Sequence, residues 1–264
     1  MNTTLFKREI KANWKIILLF MLVLSFYSSI IVAMFDPKLG ESLEMMAKSM
    51  PELFNAFGMS SPGSTLLEFV GNYLYGFILV AFPIIFIVLL VNRLIVRYVD
   101  RGSMAYLLST PNKRVNIILT QLFMLVFGLL LLVCYVTIFV IICGNLMFDE
   151  GIEISTFLIL NVGLCLLLLF FVGVNFLSAC IFQETKKATG IGAGISIFFL
   201  LVQMLSQAGD SIDWLQYATP MTLFQPNAII AQEPYLASYM ALGIMALVMF
   251  VVGVIVFKRK DLSL

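Results

Sequence analysis

The sequence predicts an all-α integral membrane protein built on six transmembrane helices, and three observations carry that prediction. Six long apolar runs follow one another along the 264-residue chain, roughly 16–35, 69–96, 115–143, 157–182, 190–207 and 236–257. Most reach the ~20 residues that an α-helix needs to cross a bilayer, the fifth being the shortest. Composition agrees, with 61% hydrophobic and only 12% charged residues and a mean hydropathy of +1.05, far outside the soluble globular range. Third, the basic residues collect on alternate connections. With the N-terminus in the cytosol, fourteen of the 16 Lys and Arg residues face inward, and only Lys38 and Lys48 face out. That asymmetry sets both termini on the cytosolic side.

Taken in order, residues 1–15 read as a cytosolic interfacial helix, because Phe6, Ile10 and Trp14 recur every fourth residue beside Lys7, Lys11 and Lys15. An apolar stripe flanked by basic heads suits the headgroup layer. The outer stretch 36–68 is interrupted by Glu41, Glu44, Lys48 and Glu52, and Pro51 fits the first turn of a new helix, so two short amphipathic helices are expected there. Its methionines Met45, Met46, Met50 and Met59 lack a nearby His or Cys and read as adaptable apolar contacts rather than a copper site. Residues 97–114 form a cytosolic connection. The fifth run opens with Gly190, Gly192, Gly194 and Ser196, a small-residue pattern that lets helix backbones pack closely. Residues 208–235, with Trp214, Tyr217, Pro220, Phe224, Pro226 and Tyr235, read as short helices dipping into the outer leaflet.

Several function classes are disfavoured. The chain has no histidine, the commonest general base and metal ligand. Its four cysteines all fall within the apolar runs, where packing thiols are expected rather than disulfides. Almost no ionisable group lies at membrane depth, which argues against proton- or sodium-coupled carriers and against intramembrane enzymes acting on lipid. The polar residues there are mild: Asn72, Asn92, Gln121, Asn145, Asn161, Asn175 and Gln203, for which interhelical hydrogen bonds are the default. No phosphate-binding loop is present, so energy for active transport must come from another polypeptide.

The informative cytosolic segment runs RYVDRGSMAYLLSTPNKRVNI over 97–117. Asp100, Gly102 and Ser103 can start a short helix, Tyr106, Leu107 and Leu108 make it apolar, and Pro111 ends it before Arg114. An apolar helix on the cytosolic side calls for something to cover it. Arg101-Gly102-Ser103, Leu107-Leu108-Ser109-Thr110-Pro111 and Arg114 resemble the coupling segment of the ABC-2 type permease family. Weaker echoes are the LFKREIKANWK start, LQYATPMTLF before the last run and the ending FKRKDLSL. The departures are an Asp-Arg pair where glutamate is common, and Ser103 where threonine is common.

This resemblance implies a six-helix half-transporter of the ABC-2 exporter type, with no cofactor of its own. It would pair with a second permease copy or paralogue above two ATPase subunits that bind ATP and Mg. Asp100 to Arg114 would dock on the ATPase, and Gln183, Glu184, Lys186 and Lys187 would form a smaller second contact. The expected activity is export of an amphipathic or hydrophobic substrate across a bacterial plasma membrane. Permeases for cytotoxic amphipathic peptides, such as phenol-soluble modulins, fit that profile. Sodium, antibiotic and copper-linked export stand as alternatives, as does a sensor or immunity protein that binds a toxic peptide without moving it.

Overall fold

A computed structural model describes residues 2–35, 45, 49–57, 63, 65–100, 114–148, 151–208 and 210–260. Six of its helices are long and apolar enough to cross a membrane. The described residues form α1 (Thr3–Met34), α2 (Pro51–Ala56), α3 (Leu66–Tyr73) and α4 (Ile78–Val91). They continue as α5 (Arg114–Met147), α6 (Ile154–Ile181), α7 (Thr185–Ala208), α8 (Pro226–Ile230) and α9 (Leu236–Arg259), with 3₁₀ turns at Asp210–Ala218 and Pro220–Leu223.

The most enclosed span is α6, with 67% of its apolar window buried, against 22% for α7 and for α9. It is therefore the post around which α4, α5, α7 and α9 pack. Close approach is written into Gly163, where an added Cβ would strike the Tyr239 ring of α9. Tyr239 itself donates its hydroxyl to the Ile159 carbonyl at 2.8 Å. Mild polar groups join the helices as expected. Thr137 of α5 donates to Asn161 of α6 at 2.8 Å, and Asn175 of α6 donates to Ser196 of α7 at 2.9 Å. Ser25 of α1 and Tyr135 of α5 share a bond of 2.9 Å. Gln121 departs from that expectation, because both of its side-chain polar atoms are buried without a hydrogen bond among the described residues.

Two boundaries differ from the sequence reading. The interfacial helix expected at 1–15 is not a separate element, for α1 runs unbroken for 32 residues through it and the first span. No glycine or proline interrupts residues 3–34, so nothing ends the helix between its amphipathic and apolar parts. At 1.5 Å per residue it is about 48 Å long, well beyond the hydrocarbon thickness. Conversely, the second apolar run is not one helix. It divides into α3 and α4 at 74–77, where the Tyr75 and Leu79 amides reach back five residues to the Val70 and Leu74 carbonyls. A capping box fixes the start of α3: Thr65 Oγ1 accepts from the Glu68 amide at 3.2 Å, and Glu68 accepts from the Thr65 amide at 3.3 Å. Hydropathy alone shows no such interruption, because every residue of the break is apolar or glycine.

Candidate functional site

Both described ends of the predicted coupling segment lie at the end of the bundle that carries the chain termini. Arg101 to Lys113 fall outside the described residues, and with them Gly102, Ser103, Tyr106, Leu107, Leu108, Ser109, Thr110 and Pro111. Asp100 and Arg114, the flanks, are described. The chain enters the segment from α4 through a π-helical stretch, Asn92–Val96, and a last α turn, Arg97–Asp100. The Arg97 amide returns to the Asn92 carbonyl, and Asn92 donates its side-chain amide to Thr189 of α7 at 3.1 Å. Such wide turns inside helices are a recurrent feature of functional sites.

At the entry, Asp100 Oδ1 accepts the backbone N–H of Thr185 at 3.2 Å. Thr185 is the first residue of α7, whose leading amides lack intrahelical partners and carry the positive end of the helix dipole. A carboxylate from the turn Arg97–Asp100 thus caps α7. The exit is held as well, because Arg114 donates to the Lys260 carbonyl at 3.1 Å. Lys260 in turn donates its ammonium to the Phe182 carbonyl at 2.7 Å, just past the end of α6. Burial pushes the Lys260 ammonium below the usual lysine range.

The predicted second contact sits between these anchors. Gln183, Glu184, Lys186 and Lys187 are all exposed, and Lys187 pairs with Glu184 at 2.8 Å, with both side chains more than half exposed. A surface pair of that kind adds little stability. The structure therefore brings the second contact and the described end of the coupling segment into one patch, joined by Asp100 and Thr185.

The packing face of the first helix is one residue out of register with the predicted stripe. Leu5, Glu9, Asn13 and Ile16 are buried, whereas Trp14 is 49% exposed. Phe6 still packs, with ring centroids 5.3 Å from Phe123 and 5.5 Å from Phe127, and Ile10 is half-buried. The cause is a polar network that hydropathy does not weigh. Tyr98 donates its hydroxyl to Glu9 Oε1 at 2.8 Å, and Asn13 donates to Glu9 Oε2 at 3.3 Å. With partners supplied, a carboxylate only 2% exposed is tolerated. Glu9, Asn13, Tyr98, Thr185 and Thr189 were not singled out by the sequence. The four-residue spacing of Glu9 and Asn13, in line with Leu5 and Ile16, is the signal that could have found the first two.

The small residues of α7 divide between two faces. Gly192 and Ser196 are buried against α6, where a Cβ on Gly192 would lie 2.7 Å from Asn175 Oδ1. Gly190 and Gly194 meet nothing within 4 Å. Among the described residues no group of His, Cys, Asp or Glu is placed to hold a metal ion, and the four cysteines are free.

Comparison with known proteins adds one finding. No curated protein matches the chain. The family described as ABC-2 family transporter protein matches residues 6–262, nearly the whole sequence and all six candidate spans. The chain therefore belongs to the ABC-2 transporter family, as a multi-pass membrane permease subunit of an ABC transporter.

Proposed function

We propose that this permease is half of an ATP-driven exporter that moves an amphipathic or hydrophobic substrate out across a bacterial plasma membrane. Its termini face the cytosol, where two ATPase subunits, holding ATP and Mg, dock on the segment between Asp100 and Arg114. A second permease copy or paralogue completes the pathway. The observation that carries the docking role is the Asp100–Thr185 bond of 3.2 Å. It ties the flank of the coupling segment to the exposed Gln183–Lys187 contact, so a partner that grips one also engages the other. Inward basic residues support the orientation. Uncharged spans rich in Phe, Leu and Ile support an amphiphile over a bare ion, whose desolvation they would not offset. Gly190 and Gly194 leave an open face on α7 that suits close approach of a neighbouring helix.

The test is co-purification followed by transport. Replacing Leu107 and Leu108 with Asp leaves membrane insertion intact and abolishes ATPase association and ATP-dependent uptake into inverted vesicles. Unchanged co-purification refutes the docking role. Substrate binding without ATP-driven movement, in the presence of the ATPase, identifies a binding-only immunity protein instead.

A further inference from the structure

At the end of the bundle opposite the termini lies a cavity of about 390 Å³. Four elements wall it: α2, the break between α3 and α4, the last turns of α7 and the 3₁₀–α8 connection. Primary amides are the commonest side-chain type, including Asn55, Gln203, Gln207, Gln216, Gln225 and Asn227, and no Asp, Glu, Lys or Arg is among the described lining residues. Val80, Met221 and Phe224 supply apolar wall between them. We propose that this cavity binds an uncharged stretch of peptide backbone.

The complementarity is that of amide for amide. Each Asn or Gln side chain offers one carbonyl acceptor and two N–H donors, the same pair of groups that a peptide displays at every residue. Gln203 Oε1 is buried without a hydrogen-bond partner among the described residues, an acceptor placed for a guest N–H. A charged ligand would lose its hydration and meet no counter-charge among the described lining residues. A sugar would find neither carboxylates nor an open aromatic face, since Tyr75 and Phe224 are 2% and 6% exposed. The volume falls within the range of small-ligand sites. As a station on the way out, the site rests on the export reading above; the binding itself does not.

The experiment uses the full chain in lipid nanodiscs and three photoreactive probes. They are an N-acetylated, C-amidated Leu/Ala hexapeptide, its ester-linked analogue lacking backbone N–H groups, and maltotriose. The peptide labels the 203–228 region, and the ester labels it about tenfold less, the equivalent of one or two lost hydrogen bonds. Gln203→Leu and Gln225→Leu each reduce peptide labelling several-fold at unchanged melting temperature. Gln225 is exposed, so its replacement does not endanger folding. Equal labelling by peptide and ester, preference for maltotriose, or indifference to both substitutions overturns the proposal. Labelling that persists in a chain showing no ATP-driven transport sinks the export reading and leaves the site. Transport that persists after labelling is abolished removes the site from the route.

Discussion

Replacing Gly192 and Gly190 by alanine separates packing from helix propensity on a single helix. Both residues lie in α7, two positions apart, so the intrinsic gain of up to ~1 kcal/mol from Gly to Ala is common to both. Their surroundings differ. A Cβ at Gly192 falls 2.7 Å from Asn175 Oδ1, 3.3 Å from Asn175 Cα and 3.3 Å from Ser178 Cβ. Asn175 cannot swing aside freely, because its amide donates to the Phe171 carbonyl at 2.9 Å and to Ser196 at 2.9 Å. Relief therefore requires either a shift of α7 away from α6 or loss of the Asn175–Ser196 bond. Overpacking of this kind costs about 1–3 kcal/mol, and an interhelical hydrogen bond in a membrane adds ~0.6. Gly190→Ala meets nothing within 4 Å. The two variants should thus differ by about 2 kcal/mol, some thirty-fold in the folded-to-unfolded ratio. Equilibrium unfolding of the monomeric fraction in mixed micelles, followed by tryptophan fluorescence, reads that difference directly. Equal midpoints for the two variants refute the assigned packing of α7 on α6.

The buried network at Glu9 yields a second expectation. Tyr98→Phe removes the hydroxyl that donates to Glu9 at 2.8 Å, costing about 1–3 kcal/mol. Adding Glu9→Gln removes the carboxylate left with Asn13 as its donor and recovers part of that loss. A thermal melt in which Tyr98→Phe is neutral argues against the network. Asp100→Ala strips the cap from α7 and should lower stability by about 1 kcal/mol, whereas Asp100→Asn retains an acceptor and loses less. Identical behaviour of the two substitutions in the same melt removes the capping role.

How much of this was legible beforehand differs by kind of information. The spans follow from hydropathy, which integrates over many residues and tolerates local exceptions. Helix ends were harder. Residues 69–96 read as one run because Leu74, Tyr75 and Phe77 are as apolar as their neighbours, and the break is made by backbone bonding that composition does not encode. The register of α1 was missed for the opposite reason: burial there follows the partner of Glu9 rather than its hydrophobicity, and Tyr98 is 89 residues away. Gly192 and Gly190 carry the same letter, yet only tertiary placement separates a packed face from an open one. The coupling motif was read from resemblance, and its core lies outside the described residues. What the structure adds is the bond from Asp100, the entry flank, to Thr185 within the Gln183–Lys187 stretch, a relation between residues too distant in sequence for any spacing rule.

Like α7, the stretch from α3 to Asp100 joins the far cavity to the end that carries the termini, and its construction bears on how motion crosses the bundle. The stretch lines the far cavity at Tyr75 and Val80 and caps α7 at Thr185. Between these points it holds Pro83 inside α4 and the π-helical stretch Asn92–Val96. Proline removes one N–H from the helix ladder and crowds the carbonyl four residues earlier, here that of Leu79. A helix weakened at its middle and rewound near its end yields to bending more readily than a regular one. If that compliance serves transport, Pro83→Ala should raise the melting temperature while uncoupling ATP hydrolysis from substrate movement in vesicles. The alternative is that Pro83 only fills its buried position. In that case the alanine variant loses packing, melts lower, and transports in proportion to the folded protein that remains. The two outcomes differ in the sign of the stability change, so one melting curve beside one transport assay decides between a hinge and a core residue.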